Sequence, residues 1–116
     1  MGAERVAVAL GSNLGDRAAS LARARDAIAR LPGTRVVSES TVEETEPLGP
    51  VPQGPYLNQM LLLQTTLEPG ALLESLLAIE RALGRERRVR WGPRTIDCDI
   101  VLFGERRVNE PGLVIP

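Results

Sequence analysis

The chain has 116 residues, 43% of them hydrophobic and 25% charged, with a formal net charge of −1. That suits one domain with a single core; no run is long enough to cross a bilayer, and no signal peptide is evident. Histidine and lysine are absent and Cys98 is the single cysteine, which excludes His-activated nucleophiles, Schiff bases, a Walker-type phosphate lysine and an intramolecular disulfide, and fits a cytoplasmic protein. Any chemistry must rest on arginine, carboxylates, amides, hydroxyls and bound metal.

Val6, Val8 and Leu10 alternate with Ala7 and Ala9, which predicts a first strand over about residues 5–10. Gly11-Ser12-Asn13-Leu14-Gly15 then reads as a turn, with Asn13 or Asp16 capping a helix over about 16–31. The G-x-G-x-x-G spacing of a dinucleotide loop is missing. Leu21, Ala24, Ile28 and Leu31 mark the buried face of that helix, and Pro32-Gly33 ends it. Residues 34–45 are rich in β-branched side chains and predict a second strand. Residues 47–55 hold four prolines and form a loop long enough for a binding or lid role. A third strand follows over 56–66. A second helix starts at Leu67-Glu68-Pro69, shows an apolar face of Leu72, Leu73, Leu76, Leu77, Ile79 and Leu83, and closes at Gly84.

Next comes a basic stretch. Residues 81–94 carry six arginines against Glu86, a net of +5 in a chain whose remainder is acidic, which suits a small polyanion better than a long nucleic acid. A fourth strand is predicted over about 96–103, and it opens with Asp97 and Asp99. Side chains at i and i+2 of a strand share a face roughly 6.6 Å apart. Two carboxylates there repel by roughly 2–3 kcal/mol at an effective dielectric near 20. A hard divalent cation or the loop arginines would offset that, although a solvated strand edge can carry the same pattern. Cys98 points away from the pair and reads as a small buried hydrophobe. After Gly104 and Glu105 a polar tail runs to Pro116.

The predicted order is β-α-β-β-α-β, an α+β ferredoxin-like sandwich. With strand order 4-1-3-2 the sheet is antiparallel and both helices pack on one face. The segment after the first strand, the proline loop, Tyr56, Asn58, the arginine loop and Asp97/Asp99 then converge on one rim.

With those residues placed, the chain resembles the 6-hydroxymethyl-7,8-dihydropterin pyrophosphokinase family of folate biosynthesis. The resemblance is carried by Arg90-Trp91-Gly92-Pro93-Arg94-Thr95-Ile96-Asp97-Cys98-Asp99-Ile100-Val101-Leu102-Phe103-Gly104. Shorter matches are Gly11-Ser12-Asn13-Leu14-Gly15, Thr45-Glu46-Pro47-Leu48-Gly49, Tyr56-Leu57-Asn58 and Ile79-Glu80 leading to Leu83-Gly84-Arg85. It implies an ATP-dependent diphosphotransferase that moves a pyrophosphoryl group to the pterin hydroxymethyl oxygen and releases AMP. By that resemblance Asp97 and Asp99 hold two magnesium ions, and Arg87, Arg94 and Asp97 are catalytic. Glu80, Arg85, Arg87, Trp91, Arg94 and Ile100 bind ATP; Thr45, Leu48, Tyr56 and Asn58 bind the pterin; Asn13 supports them from behind. The expected partners are these small molecules, with no nucleic acid or membrane, and a monomer is expected.

There are departures from the family's pattern. The arginine loop is one residue shorter between Arg87 and Trp91, and Leu77 stands where some members carry a polar nucleotide contact. Gly112 and Val114 replace an arginine and a threonine. Residues 1–116 read as one pyrophosphokinase domain that stops where the family normally continues with a further C-terminal segment. The alternatives are a truncated or degenerate relative, or a non-catalytic ferredoxin-like nucleotide- or RNA-binding module. An RNA-binding sheet would need exposed aromatics, for which only Tyr56, Trp91 and Phe103 exist.

Overall fold

A computed structural model of the chain describes residues 2–47, 49, 52–84, 95–110 and 113–115. Its elements are β1 (Glu4–Ser12), α1 (Arg17–Ala29), β2 (Thr34–Glu39), β3 (Glu43–Thr45), β4 (Tyr56–Thr65), α2 (Pro69–Gly84), β5 (Asp97–Phe103), β6 (Val108–Glu110) and β7 (Leu113–Ile115). The main sheet runs β2-β4-β1-β5, with β3 beside β4 and every pairing antiparallel. Because β2 and β3 are two pieces of the expected second strand, this is the ferredoxin-like order derived above.

Strand alternation builds the core. Val6, Val8 and Leu10 of β1, Leu61 and Leu63 of β4, and Cys98 and Phe103 of β5 are buried with Leu21, Ala24 and Ile28 of α1 and Leu72, Leu76 and Ile79 of α2. Each such aliphatic side chain stabilises the fold by about 1.5–3 kcal/mol. Both helices therefore cover one face of the sheet. Asp16, not Asn13, caps α1, its carboxylate accepting from the Ala19 N–H at 3.1 Å. Pro69 opens α2, where its missing N–H costs nothing.

Three features depart from the sequence expectation. First, β1 does not turn at Gly11 but continues through Ser12, because Gly11 and Ser12 still pair with Asn58 and Leu57. Second, the second strand is broken. Its ladder shifts between Val36 and Ser38, and Ser40 then serves Met60 twice: its N–H donates to the Met60 carbonyl and its hydroxyl accepts from the Met60 N–H, each at 2.9 Å. Buried Gln59 fixes the break, donating to the Ser40 carbonyl at 2.8 Å and accepting from Arg25 at 2.8 Å. Third, the tail is not merely polar coil. β6 and β7 pair, and Leu113 and Ile115 join the core.

At the end of the sheet remote from Gly11, Arg106 donates to Glu4 Oε2 at 2.7 Å and Glu68 Oε1 at 2.8 Å. It ties the turn after β5 to the starts of β1 and α2, and holds the Glu68 carboxyl below its ordinary range by that hydrogen bond. This end is structural.

Candidate active site

The face of the sheet away from the helices brings together the candidate site residues that the structure describes. On β1 the residues alternating with the core set are Ala7, Ala9 and Gly11. Their register partners share that face: Asn58 and Asp97 flank Gly11, while Met60 and Asp99 flank Ala9. β3 extends the rows, setting Glu43 beside Asn58 and Thr45 beside Tyr56. Strands lie about 4.8 Å apart, so the Asn58 and Asp97 backbones stand about 10 Å apart across a floor of glycine and alanine. An ideal Cβ on Gly11 would lie 3.4 Å from both Asn58 Oδ1 and Tyr56 Cδ2. The Tyr56 ring edge and the Asn58 amide thus lean over this glycine.

Asn58 has a fixed orientation. Its Nδ2 donates to Thr45 Oγ1 at 2.6 Å and reaches the Glu43 carbonyl at 3.5 Å. The residues expected to read the pterin, Thr45, Tyr56 and Asn58, are adjacent; Leu48 lies outside the described residues. Asp97 is half-buried and Asp99 exposed on the shared face. Two hard carboxylates so arranged fit magnesium, which is commonly held by one or two carboxylates together with substrate phosphates. Among the described residues no group of three or more His, Cys, Asp or Glu side chains could hold a metal ion.

Of the expected nucleotide residues, Ile100 and Glu80 are described, and both sit at the β5 edge. Ile100 is half-buried, opposite Val8 and packed against the core. Glu80 projects from the last turns of α2, and its Oε2 accepts from the Cys98 N–H at 2.7 Å. Among the described strands β5 lies at the edge of the main sheet, so this carboxylate satisfies an outward backbone donor between the two aspartates. Burial first, then the charges of Glu80, Asp97 and Asp99, push the Cys98 thiol well above its ordinary range. Those surroundings favour the protonated thiol, in keeping with a small buried hydrophobe. Arg85, Arg87, Trp91 and Arg94 lie outside the described residues.

Sequence reasoning named Asn13 as a support but missed what it holds, and passed over Arg17. Asn13 Nδ2 donates to Gln53 Oε1 at 2.7 Å and to the Gly54 carbonyl at 3.1 Å. Arg17 Nη1 donates to the Pro55 carbonyl at 2.9 Å. The Asn13 contact had a signal, a buriable amide just past a strand end. That of Arg17 was fainter: a cation in the first turn of a helix.

A ferredoxin-like sheet that carries a carboxylate pair and an amide-and-tyrosine cluster on the face away from its helices defines a small α+β domain with a candidate ligand-binding face. The profile of the 7,8-dihydro-6-hydroxymethylpterin-pyrophosphokinase (HPPK) family matches residues 7–116, and the chain belongs to that family. A 2-amino-4-hydroxy-6-hydroxymethyldihydropteridine pyrophosphokinase of Pseudomonas aeruginosa is 48% identical over 113 residues, covering 97% of this chain and 70% of the relative. A protein of the same name from Methylorubrum extorquens is 46% identical over 112 residues, covering 97% and 71%. The Bacillus subtilis counterpart is 41% identical over 109 residues, covering 94% of this chain and 65% of its own length.

Proposed function

We propose that this chain is an ATP-dependent pyrophosphokinase that transfers a pyrophosphoryl group to the hydroxymethyl oxygen of 6-hydroxymethyl-7,8-dihydropterin and releases AMP, in folate biosynthesis. The observation that carries it is the row Glu43–Asn58–Gly11–Asp97 on the uncovered face. A hydrogen-bonding amide and a metal-binding carboxylate there flank a floor with no side chain.

In this proposal Asn58 reads the polar edge of the pterin by its amide, aided by Thr45 and the backbone near Leu48, and Tyr56 packs on the ring. Asp97 and Asp99 hold magnesium, two ions, through their carboxylate oxygens. Magnesium held there would supply charge neutralisation on the triphosphate. Arg87 and Arg94, with Arg85 nearby, bind phosphate oxygens as permanently charged bidentate donors. Glu80, Trp91 and Ile100 line the nucleotide. Such transfer depends mainly on positioning and charge, so a chain without histidine can perform it.

An RNA-binding sheet is not favoured. Phe103, one of its three possible stacking residues, is only 1% exposed in the core. Among the described residues no helix is long and apolar enough to cross a membrane; a cytoplasmic monomer is proposed. The test is AMP formation from ATP, hydroxymethyl-dihydropterin and magnesium by the intact chain. AMP release that needs both pterin and magnesium supports the proposal; nucleotide binding with no pterin-dependent turnover refutes it.

A further inference from the structure

We infer that Arg17 is a positioning residue for the pterin half of the site, an inference that rests on assigning Thr45, Tyr56 and Asn58 to that half. It begins from a misfit. Arg17 is the first residue of α1, and the first turn carries no acidic residue. The positive end of a helix disfavours a cation there, so local helix energetics do not account for this arginine.

Its tertiary contacts do. The guanidinium donates to the Pro55 carbonyl at 2.9 Å and lies 3.6 Å from Glu44 Oε2. Pro55 immediately precedes Tyr56, and Glu44 immediately precedes Thr45; Tyr56 and Thr45 are register partners. Glu44 pairs with Leu57, which packs on the core side. Arg17 therefore grips both segments from behind, while their ligand-facing residues point the other way.

The grip matters because β3 is weak alone. It has three residues, all exposed, and β4 is its ladder neighbour. Asn13 holds Gln53 and Gly54 just upstream, so residues 53–55 are clamped in succession up to the start of β4. An exposed ion pair such as Arg17–Glu44 adds little stability. Its effect is on the spacing of Thr45 and Tyr56. Both contacts are made by one nitrogen, Nη1, held in place by the rigid plane of the guanidinium, which the flexible stem of a lysine reproduces only in part.

The test is steady-state kinetics of Arg17→Ala and Arg17→Lys in the full chain, with hydroxymethyl-dihydropterin and ATP–magnesium varied separately. Losing one charge-assisted hydrogen bond should raise the KM for pterin roughly three- to tenfold in R17A. R17K should recover part of that, with the KM for ATP and the melting temperature at wild-type values in both. Should R17A fold poorly, R17K carries the comparison. An unchanged pterin KM in both variants overturns the inference. So does a parallel rise for ATP and pterin with a lower melting temperature, which marks general loosening. A wild-type chain that binds no pterin instead overturns the pterin assignment, and this inference with it.

Discussion

Gly11 offers a perturbation in which stability and activity should move in opposite directions. Its backbone is not among the positive-φ glycines, so an L-residue fits without strain. The nearest atoms to an added Cβ would be Asn58 Oδ1 and Tyr56 Cδ2 at 3.4 Å and Tyr56 Cε2 at 3.7 Å, which is ordinary contact. Gly11→Ala should therefore stabilise the fold by about 0.4–1 kcal/mol through loss of unfolded-state freedom, a rise in melting temperature of about 2–4 °C for a domain of this size. The same methyl stands on the floor between the amide and the carboxylate. If the pterin lies there, overpacking of about 1–3 kcal/mol should fall on the complex alone, a drop of roughly 5- to 150-fold in kcat/KM. Thermal melting and AMP formation with pterin varied read the two effects separately, and Gly11→Val should deepen the second. An alanine variant with wild-type kcat/KM would show that the ligand does not use this floor. One destabilised by more than about 1 kcal/mol would show that the steric argument fails.

Asp97→Asn and Asp99→Asn should each lower kcat by at least about 100-fold and abolish magnesium-dependent binding of an ATP analogue, with melting temperatures unchanged or higher as repulsion is relieved; calorimetry with and without chelator is the check. Glu80→Ala should cost about 1–3 kcal/mol in urea unfolding, because the Cys98 N–H at the sheet edge loses its acceptor. Glu80→Gln, which keeps an acceptor, should cost less, and an alanine variant as stable as wild type would rule out the anchoring role. The raised Cys98 pKa fixes a pH dependence. Its stabilising contribution is complete below the unfolded thiol's value of about 8.5 and is lost above it, by up to about 1.4 kcal/mol per pH unit. Cys98→Ala should remove that alkaline slope, as read from denaturation midpoints between pH 8 and 10.

Much of this was legible because β1 and the two helices state their periods clearly. Val6, Val8 and Leu10 could belong only to a strand, Leu21, Ala24 and Ile28 only to a helix face, and Asp16 carried its capping chemistry openly. Strand order 4-1-3-2 came with the ferredoxin-like arrangement and predicted convergence on one rim; the register adds that Thr45, Tyr56 and Asn58 share the face of Asp97 and Asp99. Gly11 misled because glycine usually punctuates a turn. Here the flanking strands continue the ladder through Gly11, so the glycine marks no turn. Ser40 was opaque because a hydroxyl that replaces a ladder bond leaves no periodic trace. The β6–β7 hairpin did have a signal, Pro111-Gly112 between Val108 and the Leu113-Val114-Ile115 run, but one apolar residue on its first arm is too little to separate a short strand from coil. Arg17 and Glu80 show a different limit. Their contacts lie 38 and 18 residues away, and no local pattern encodes them.

The alternation along β1 divides the strand between two kinds of selection. Substitutions at Val6, Val8 or Leu10 are paid for in folding, whatever they do to chemistry. Ala7, Ala9 and Gly11 face the other way, and changes there are felt first by whatever lies on the sheet. A compound that competes for this face would therefore meet a surface free to mutate without loss of the fold, above all beside Ala9. Escape from such a compound should arise at alternate positions of one strand. On the proposed assignment, the more durable inhibitor would draw its affinity from the Asn58 amide and the Asp97 carboxylate.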